Sequence, residues 1–252
     1  MRDVAEEPAA RPRVRRPIAV VLSRFPLITE TFILREITEL ERQGQPVLLV
    51  PMIREDPDVV HDEARPWIDR ALFTPFVSPA ILASCARALL RSPGVIARLL
   101  WWIVRHSIYK PGLFLRSLML FPKSVHLAEV LQDEGVTHVH AHFATHPATM
   151  ATIIEALAGI PFSFTVHAHD IFVTRVLLRE KLRRAQFVRA ISRFNRSYLE
   201  HLFPRETAGK VHVVHVGIRP GAYRPAEEPV EPAKILCIAA LNTPIHKASA
   251  QV

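Results

Sequence analysis

Two histidine-rich segments hold the side chains of this chain that are best suited to chemistry. The first is Thr137–Ala144 (THVHAHFA), and the second is Phe162–Phe172 (FSFTVHAHDIF). Each begins with short β-prone residues, runs into histidines and is followed by a helical pattern. This order predicts two parallel strands that deliver imidazoles to the carboxyl edge of an α/β sheet, where such sheets bind ligands. Because histidine can donate, accept or carry a proton near neutral pH, we expect a polar ligand there.

His167 is the first candidate for direct action on a substrate. It directly follows the predicted strand at 162–166, and His169 and Asp170 come just after it. These side chains line either a strand face or a loop over the sheet edge, depending on where the strand ends. His140 and His142 repeat the pattern on the neighbouring strand. The alternative is that all of them only satisfy local backbone groups.

The paired His-x-His pattern also suits a zinc site, since imidazole is the commonest metal ligand. Such a site needs further ligands from later strands, and only His212, His215 and Asp170 can be nominated. About seven strands are legible, too few to close an eight-stranded α/β barrel. We therefore expect no metal and no cofactor, and a metal-dependent hydrolase is the minor alternative.

The segment after the first predicted strand lies where a doubly wound fold places its phosphate loop. It reads RFPLITETF over residues 24–32 and contains no G-x-G-x-x-G or Walker pattern. A helix that begins near Thr29 would let Thr29, Thr31 and free backbone N–H groups hold an anion or a sugar hydroxyl. Thr29 and Glu30 are equally well explained as a helix cap and a complement to the helix dipole.

The remaining apolar pattern supplies the sheet that these candidates require. Strands are predicted at 17–23, 46–52, 138–142, 162–166, 187–191, 211–214 and 234–239. Helices are predicted at 29–43, 144–158, 174–184 and 193–201, the last capped by Ser192. This alternation predicts an α/β fold with a doubly wound, Rossmann-like parallel sheet. Gly217, which follows the strand at 211–214, fits a tight turn close to a ligand.

Composition divides the chain into segments. Residues 1–16 are an Arg- and Pro-rich tail without the order of a signal peptide, and residues 17–219 form the sheet domain. Residues 220–233 are a linker, and residues 234–252 start a second domain that we expect to be truncated.

A helical insertion at about residues 78–131 is broken at Pro93 and Pro111. It mixes aromatic and aliphatic residues with arginines, which is typical of a helix lying on anionic lipid. The candidate membrane-surface residues are Arg98, Trp101, Trp102, Arg105 and Arg116. The alternative is a helical subdomain that packs its apolar face on the sheet.

Charge and cysteine content indicate the class of partner and the compartment. A net charge of +8 and an isoelectric point near 10.1 favour membrane phospholipid, nucleic acid or a phosphorylated substrate. No nucleic-acid module is visible, so we expect no nucleic-acid partner. No uncharged run reaches the roughly 18–20 residues of a transmembrane helix. Cys85 and Cys237 sit among apolar neighbours, which favours a cytoplasmic protein.

Taken in order, five segments resemble the amino-terminal, acceptor-side domain of family 4 glycosyltransferases, which are retaining enzymes of the two-domain GT-B fold. The similarity is greatest to exopolysaccharide and colanic-acid-type members and spans about residues 17–240. The segments are Ser23–Ile33 with Glu36, His140–Ala144, Phe164–Phe172, Ala190–Ser192 and Val213–Ile218.

This resemblance implies sugar transfer from a nucleotide diphosphate sugar to an acceptor, often lipid-linked, at the cytoplasmic membrane face and without a metal. It implies that His167 faces the reacting sugar and that the loop at 29–31 lies beside the cleft. In the donor-side region, Ala240 stands where the family has an Arg, and Lys247 lies about two residues late. The paired glutamates that hold the donor sugar would lie beyond Val252.

We therefore expect little turnover from this chain alone, because a diphosphate clamp supplies most of the rate in such chemistry. The donor domain is then either lost or supplied by a separate chain. A non-enzymatic alternative is a membrane-surface or partner-binding module that keeps the fold without catalysis.

Overall fold

The structure is a computed structural model that describes residues 15–218 and residue 221. The chain divides into two compact units, Met1–Val216 and Gly217–Val252. The first unit is an α/β domain with flanking helices, which confirms the predicted fold class. The predicted strand at 234–239, most of the linker and nearly all of the amino-terminal tail lie outside the described residues.

The elements of the described residues follow the predicted alternation. The strands are β1 (Ile18–Phe25), β2 (Val47–Arg54), β3 (His138–His142), β4 (Phe162–Val166), β5 (Phe187–Ala190) and β6 (Val211–Val213). The helices are α1 (Thr31–Arg42), α2 (Arg65–Arg70), α3 (Pro79–Arg91), α4 (Pro93–Ser107), α5 (Pro111–Asp133), α6 (His146–Ala158), α7 (Ala168–Phe172), α8 (Leu178–Arg184), α9 (Arg193–Leu202) and α10 (Pro204–Thr207). A 3₁₀ turn at Asp62–Ala64 leads into α2.

The short helices α2, α7 and α10 were not predicted, because four to six residues carry too little periodicity. The helix α7 corrects the prediction for the residues after β4. His169 and Asp170 lie on this helix rather than on a strand or an irregular loop. Ser192 does cap α9, as predicted, since its hydroxyl accepts the Asn195 N–H.

All six strands of the described residues are parallel, in the order β2-β1-β3-β4-β5-β6. The chain moves outward from β1 to β2, returns, and then continues from β3 on the other side of β1. The direction of winding therefore reverses between β1 and β3. In open α/β sheets this switch point leaves a crevice at the carboxyl ends of the two strands, and ligands bind there.

Two apolar cores cover the two faces of the sheet. On one face, α1 packs over β1 and β2 through residues such as Ile33, Ile37 and Val20. On the other face, Val139, Phe162 and the other apolar residues of that face join a larger core that includes α5, α6 and α8. Strands buried on both faces read as continuous apolar runs, which is why β1 and β2 were legible from sequence.

The helical insertion consists of α3, α4 and α5, with breaks at the two predicted prolines. Its inner residues form a third core with α6, so the insertion packs on the domain as a subdomain. Among the described residues no single helix is long and apolar enough to cross a membrane. The pair α3 and α4, bent by 110°, meets that requirement together by length and composition only.

Lys123 anchors α5 to the sheet. Its side chain is 1% exposed, and Nζ donates to the carbonyls of Met52 and Thr74 at 2.6 and 2.7 Å. The ammonium also lies 5.1 Å from the centre of the Phe76 ring. Burial lowers the pKa of Lys123 to about 8, because the charged form loses hydration.

We predict that Lys123 makes the protein more stable as the pH rises from 8 to 10.5. The unfolded chain holds this proton up to its ordinary pKa of 10.5, whereas the folded chain releases it near 8, so unfolding takes up a proton in that window. The free energy of unfolding should rise by about 1 kcal/mol per pH unit. Lys123→Met should abolish this increment in urea denaturation, whereas Lys110→Met, at an exposed site, should keep it. An identical pH profile for the two variants would contradict the assignment.

Candidate active site

The histidines lie at the carboxyl edge, as predicted. Strands β3 and β4 are parallel neighbours, and His140 and His142 pair in register with Ser163 and Thr165. His167 follows β4 directly. The site therefore forms where the ends of two neighbouring strands meet, beside the switch point between β1 and β3.

His140 differs from the prediction that it binds substrate. Its Nδ1 lies 2.8 Å from the Ser163 hydroxyl and its Nε2 lies 2.9 Å from the Thr165 hydroxyl. Both ring nitrogens are therefore used within the sheet. Burial, with a smaller contribution from His142, lowers the pKa of His140 to about 3. His140 supports the site and has no nitrogen free for a ligand.

His142 has the opposite character. Its side chain is 1% exposed, and neither ring nitrogen has a hydrogen-bond partner. Glu36 Oε1 lies 3.8 Å from Nε2, and the Phe32 ring packs edge-on at 6.2 Å. Burial and then the neighbouring His167 lower the pKa of His142 to about 3, so the ring is neutral at pH 7. A buried polar group without a partner is unusual in a native protein and marks a site that a ligand can complete.

His167 lies between two aromatic rings. The ring centres of Phe143 and Phe32 are 4.7 and 5.2 Å from that of the imidazole. Its Nε2 is buried and has no hydrogen-bond partner. Burial and the charge of Arg189 lower the pKa to about 4, so the ring is neutral at pH 7 and can donate or accept one hydrogen bond. The two phenylalanines fix its orientation.

Asp170 and Lys181 hold the loops that carry these residues. The Asp170 carboxylate, 2% exposed, accepts the backbone N–H of Ala144 at 2.8 Å and that of His167 at 3.1 Å. The Lys181 ammonium, 1% exposed, donates to the carbonyls of Ala144 and Thr145 at 2.8 Å each. Burial lowers the pKa of Lys181 to about 7, against the opposing effect of Asp170. The two charges tie the segment after β3 to the segment after β4.

An ion pair between Glu36 and Arg189 closes one side of the site. Arg189 Nη1 bonds Glu36 Oε2, and the same guanidinium donates to the carbonyls of Val214 and His215. The pair joins α1 to β5, two elements that lie far apart in the sequence. Sequence reasoning did not nominate Arg189. The signal was present as a lone charge in the otherwise apolar strand FVRA.

The helix after β1 begins two residues later than predicted, which bears on whether Thr29 and Glu30 cap it or contact a ligand. Helix α1 begins at Thr31, Glu30 is its N-cap residue, and no side chain caps the helix. Glu30 Oε2 is buried without a hydrogen-bond partner, and burial raises the pKa of this carboxyl to about 7. Thr29 is exposed and Thr31 is half-buried. Glu30 therefore occupies the N-cap position without a side-chain capping bond, and a ligand role for Thr29 and Glu30 stays a prediction.

A cavity of about 480 Å³ opens at the same edge. Its polar lining comes from β1, from α5, from the start of α6, and from α7 with the residues that follow it. It comprises Ser23, Arg24, Arg116, Thr145, His146, His169 and Thr174. Its apolar lining comprises Met52, Ile53, Phe76, Leu113, Met119 and Leu120. Two predicted residues line this cavity. His169 was predicted as a site residue, and Arg116 was predicted for the membrane surface.

Two basic groups differ in how they are engaged at this cavity. Arg24 pairs with Glu55 at 2.6 Å, whereas no carboxylate of residues 15–218 lies within 4.0 Å of Arg116. His146 Nε2 is buried without a partner, and burial lowers the pKa of His146 to about 4. Among the described residues, the cavity thus offers the Arg116 cation without an ion-pair partner and the His146 Nε2 atom without a hydrogen-bond partner, both beside an apolar wall.

Comparison with known proteins places this domain. The family model described as "Glycosyltransferase Family 4" matches residues 29–221, which is most of the chain. The chain belongs to glycosyltransferase family 4. No curated protein matches this chain. Among solved structures, a glycosyltransferase from Rickettsia africae ESF-5 aligns over 80% of this chain with 10% identity and a TM-score of 0.47. The alignment covers 43% of that protein, so this chain spans less than half of its length.

The family 4 domain brings Glu36, His140 and His142 close enough for a metal, with ligand atoms within 4.8 Å of one another. The His140 and Glu36 atoms already have partners, whereas the two His142 nitrogens do not. Both His140 nitrogens bond hydroxyls, and Glu36 pairs with Arg189. A metal would have to displace these bonds, so the geometry does not favour the hydrolase alternative.

Two further predictions differ from the structure of this glycosyltransferase domain. Trp102 is 7% exposed and belongs to the core of the insertion, so it is not a membrane-surface residue. The cause is helical rotation, which turns the adjacent Trp101 outward to 62% exposure. Gly217 is exposed, its φ is not positive, and no atom of the described residues lies within 4 Å of a Cβ built there. The described part of the chain therefore shows neither the predicted tight turn nor a close approach at this glycine.

We predict that the buried histidines make the family 4 domain sensitive to acid. Their folded pKa lies below the ordinary value of 6.5, so the unfolded chain binds more protons as the pH falls from 6.5 toward 4. Stability is then present above pH 6.5 and is lost below it. His142→Gln should reduce the slope of unfolding free energy against pH by about 1 kcal/mol per unit. His201→Gln, at an exposed site on α9, should leave the slope unchanged, and equal slopes for both variants would contradict the prediction.

Proposed function

We propose that this family 4 domain binds the acceptor in a retaining, metal-free transfer of a sugar from a nucleotide diphosphate sugar. The proposed acceptor is a lipid-linked saccharide of exopolysaccharide or colanic-acid type. The cavity at the carboxyl edge carries the proposal, because it places Arg116, His146 and His169 against an apolar wall. A molecule with a phosphate or sugar end and a hydrocarbon end suits such a lining. Donor-side groups are proposed to lie outside the described residues, in this chain or in a separate one.

His167 is the proposed catalytic residue in this reaction. Its free Nε2 can bond a hydroxyl of the reacting sugar, and its neutral form at pH 7 allows it either to donate or to accept. His142 adds a second imidazole whose ring centre is 6.5 Å away. Glu30, whose carboxyl has a pKa near 7, is a proposed contact for a sugar hydroxyl in the loop after β1. Thr29 and Thr31 flank it.

The same domain is proposed to act at the cytoplasmic face of the membrane. Trp101, Val104 and Ile108 are 62%, 37% and 56% exposed and lie three and four residues apart, on one outer face of α4. Arg98 and Arg105 flank this stripe and are exposed. The combination of an exposed apolar stripe and basic neighbours is typical of a helix that lies in an anionic lipid interface.

We predict that His167→Ala abolishes most transfer without unfolding the protein. The natural protein would be assayed for transfer of labelled sugar from a nucleotide sugar to a lipid extract. The kcat should fall about 100-fold or more, since a positioned acid–base or hydrogen-bonding group contributes at least that much. The midpoint of urea unfolding should fall only modestly, because the ring loses its packing against two phenylalanines while the bond from the His167 backbone N–H to Asp170 remains. His201→Ala is the matched control. Parallel losses of stability and activity would support a structural role instead.

We predict that the outer stripe of α4 governs binding to vesicles. Val104→Ser combined with Ile108→Ser should lower co-sedimentation with vesicles of phosphatidylcholine and phosphatidylglycerol by about tenfold or more, from lost apolar burial. Val59→Ser, at a site 62% exposed outside the insertion, is the control. Unchanged binding of the α4 variant would count against membrane association through this helix.

A further inference from the structure

A second basic cavity lies between α4, α6 and α8. Its volume is about 430 Å³, and it shares no lining residue with the cavity at the carboxyl edge. Its lining includes Arg98, Trp101, Trp102, Glu180, Arg183 and Arg184. Three of these residues are arginines, and neither the proposed acceptor site nor the fold makes use of the space that they surround.

The acidic groups near this cavity are already engaged. Glu180 accepts two hydrogen bonds from Arg183, at 2.6 and 2.9 Å, and Glu155 pairs with Arg184. No carboxylate of residues 15–218 lies within 4.0 Å of Arg98. The cavity therefore keeps a positive charge that the described part of the chain does not neutralise. That charge can be neutralised by an anion from outside.

Trp102 adds an unused donor to the same lining. Its side chain is 7% exposed, yet the indole Nε1 has no hydrogen-bond partner. The indole N–H can only donate, and leaving it unpaired in a buried setting is unfavourable. An oxyanion that Arg98 attracts would supply the missing acceptor. The Arg98 guanidinium and the Trp102 N–H, both without a partner among the described residues, together favour a phosphate as the ligand of this cavity.

Basic residues also lie beyond this cavity, on α8 and in the segment just before it. An adjoining cavity of about 280 Å³ shares Trp102, His106 and Glu180 with it and adds Arg175 and Arg179. Arg179 pairs with Glu206, whereas no carboxylate among the described residues is within 4.0 Å of Arg175. The basic lining thus continues on the far side of Trp102 and His106.

The position of Trp101 selects a lipid as the source of the phosphate. This residue lines the cavity and also belongs to the exposed apolar stripe of α4. A phosphate in the cavity would therefore sit beside the helix face proposed to enter the hydrocarbon boundary. We propose that this cavity binds the head-group phosphate of an anionic phospholipid. The proposal rests on the membrane association proposed above and adds a specific lipid site to it.

The test compares two arginines of α4. Both are exposed, and Arg98 lines the cavity whereas Arg105 does not. Binding of the full chain would be measured on vesicles of phosphatidylcholine with and without phosphatidylglycerol. Arg105→Gln should weaken binding to the anionic vesicles about fivefold, the general effect of one surface cation. Arg98→Gln should weaken it by at least about tenfold more, from loss of a charge-assisted contact. Trp102→Phe, which removes only the N–H donor, should also weaken it, with no change in net charge.

The outcomes separate the two proposals. No binding of the wild-type chain to anionic vesicles would overturn the membrane association and the lipid site together. Binding that Arg98→Gln and Arg105→Gln weaken equally would overturn the lipid site alone. A soluble head-group probe, sn-glycerol 3-phosphate, should compete with the vesicles at millimolar concentration. Binding of this probe without vesicle binding would assign the cavity to a soluble phosphate ester and overturn the lipid assignment.

Discussion

The carboxyl edge of the sheet depends on two buried charges, Asp170 and Lys181. An ionised group costs several kcal/mol to bury unless hydrogen bonds replace its hydration, and here backbone groups supply those bonds. The donors and acceptors come from Ala144, Thr145 and His167, so each charge is satisfied only when both loops are in place. The two loops are therefore held as one unit.

This unit also holds a strained residue. Phe143 has a φ of 78°, a region that disfavours a bulky side chain by about 1–3 kcal/mol. It sits between His142 at the end of β3 and Ala144, which both buried charges fix. The strain places the Phe143 ring against His167. Because the backbone is fixed at His142 and at Ala144, the strained Phe143 holds its ring in one position, and that position orients the His167 ring.

Burial also determines the protonation state of the histidines at the carboxyl edge. The imidazoles of His142 and His167 lie in a dry setting beside the Arg189 guanidinium, and both effects disfavour the imidazolium form. Neutral rings with unbonded nitrogens are suited to sugar hydroxyls, which both donate and accept. The helical insertion has two different faces. Helix α4 packs one face on the domain and leaves an apolar stripe and arginines exposed on the other. One helix therefore packs on the domain and presents a basic, partly apolar face to its exterior.

The sequence alone determined the order of the longer elements, the parallel sheet and the bounds of β3 and β4. Strands buried on both faces leave apolar runs, as in β1 and β2, whereas β3 was recognised from β-prone residues that run into histidines. It also determined which side chains follow those strands. Tertiary structure decided which of them are free. His140 and His142 share a type and a strand face, yet only the first meets the hydroxyls of β4 at both nitrogens. Trp101 and Trp102 are adjacent, and packing buries only one of them. Glu36 and Arg189, which are 153 residues apart, meet only once the sheet has formed. Periodicity records the face on which a residue lies, whereas its partners depend on contacts between distant segments that no local pattern encodes.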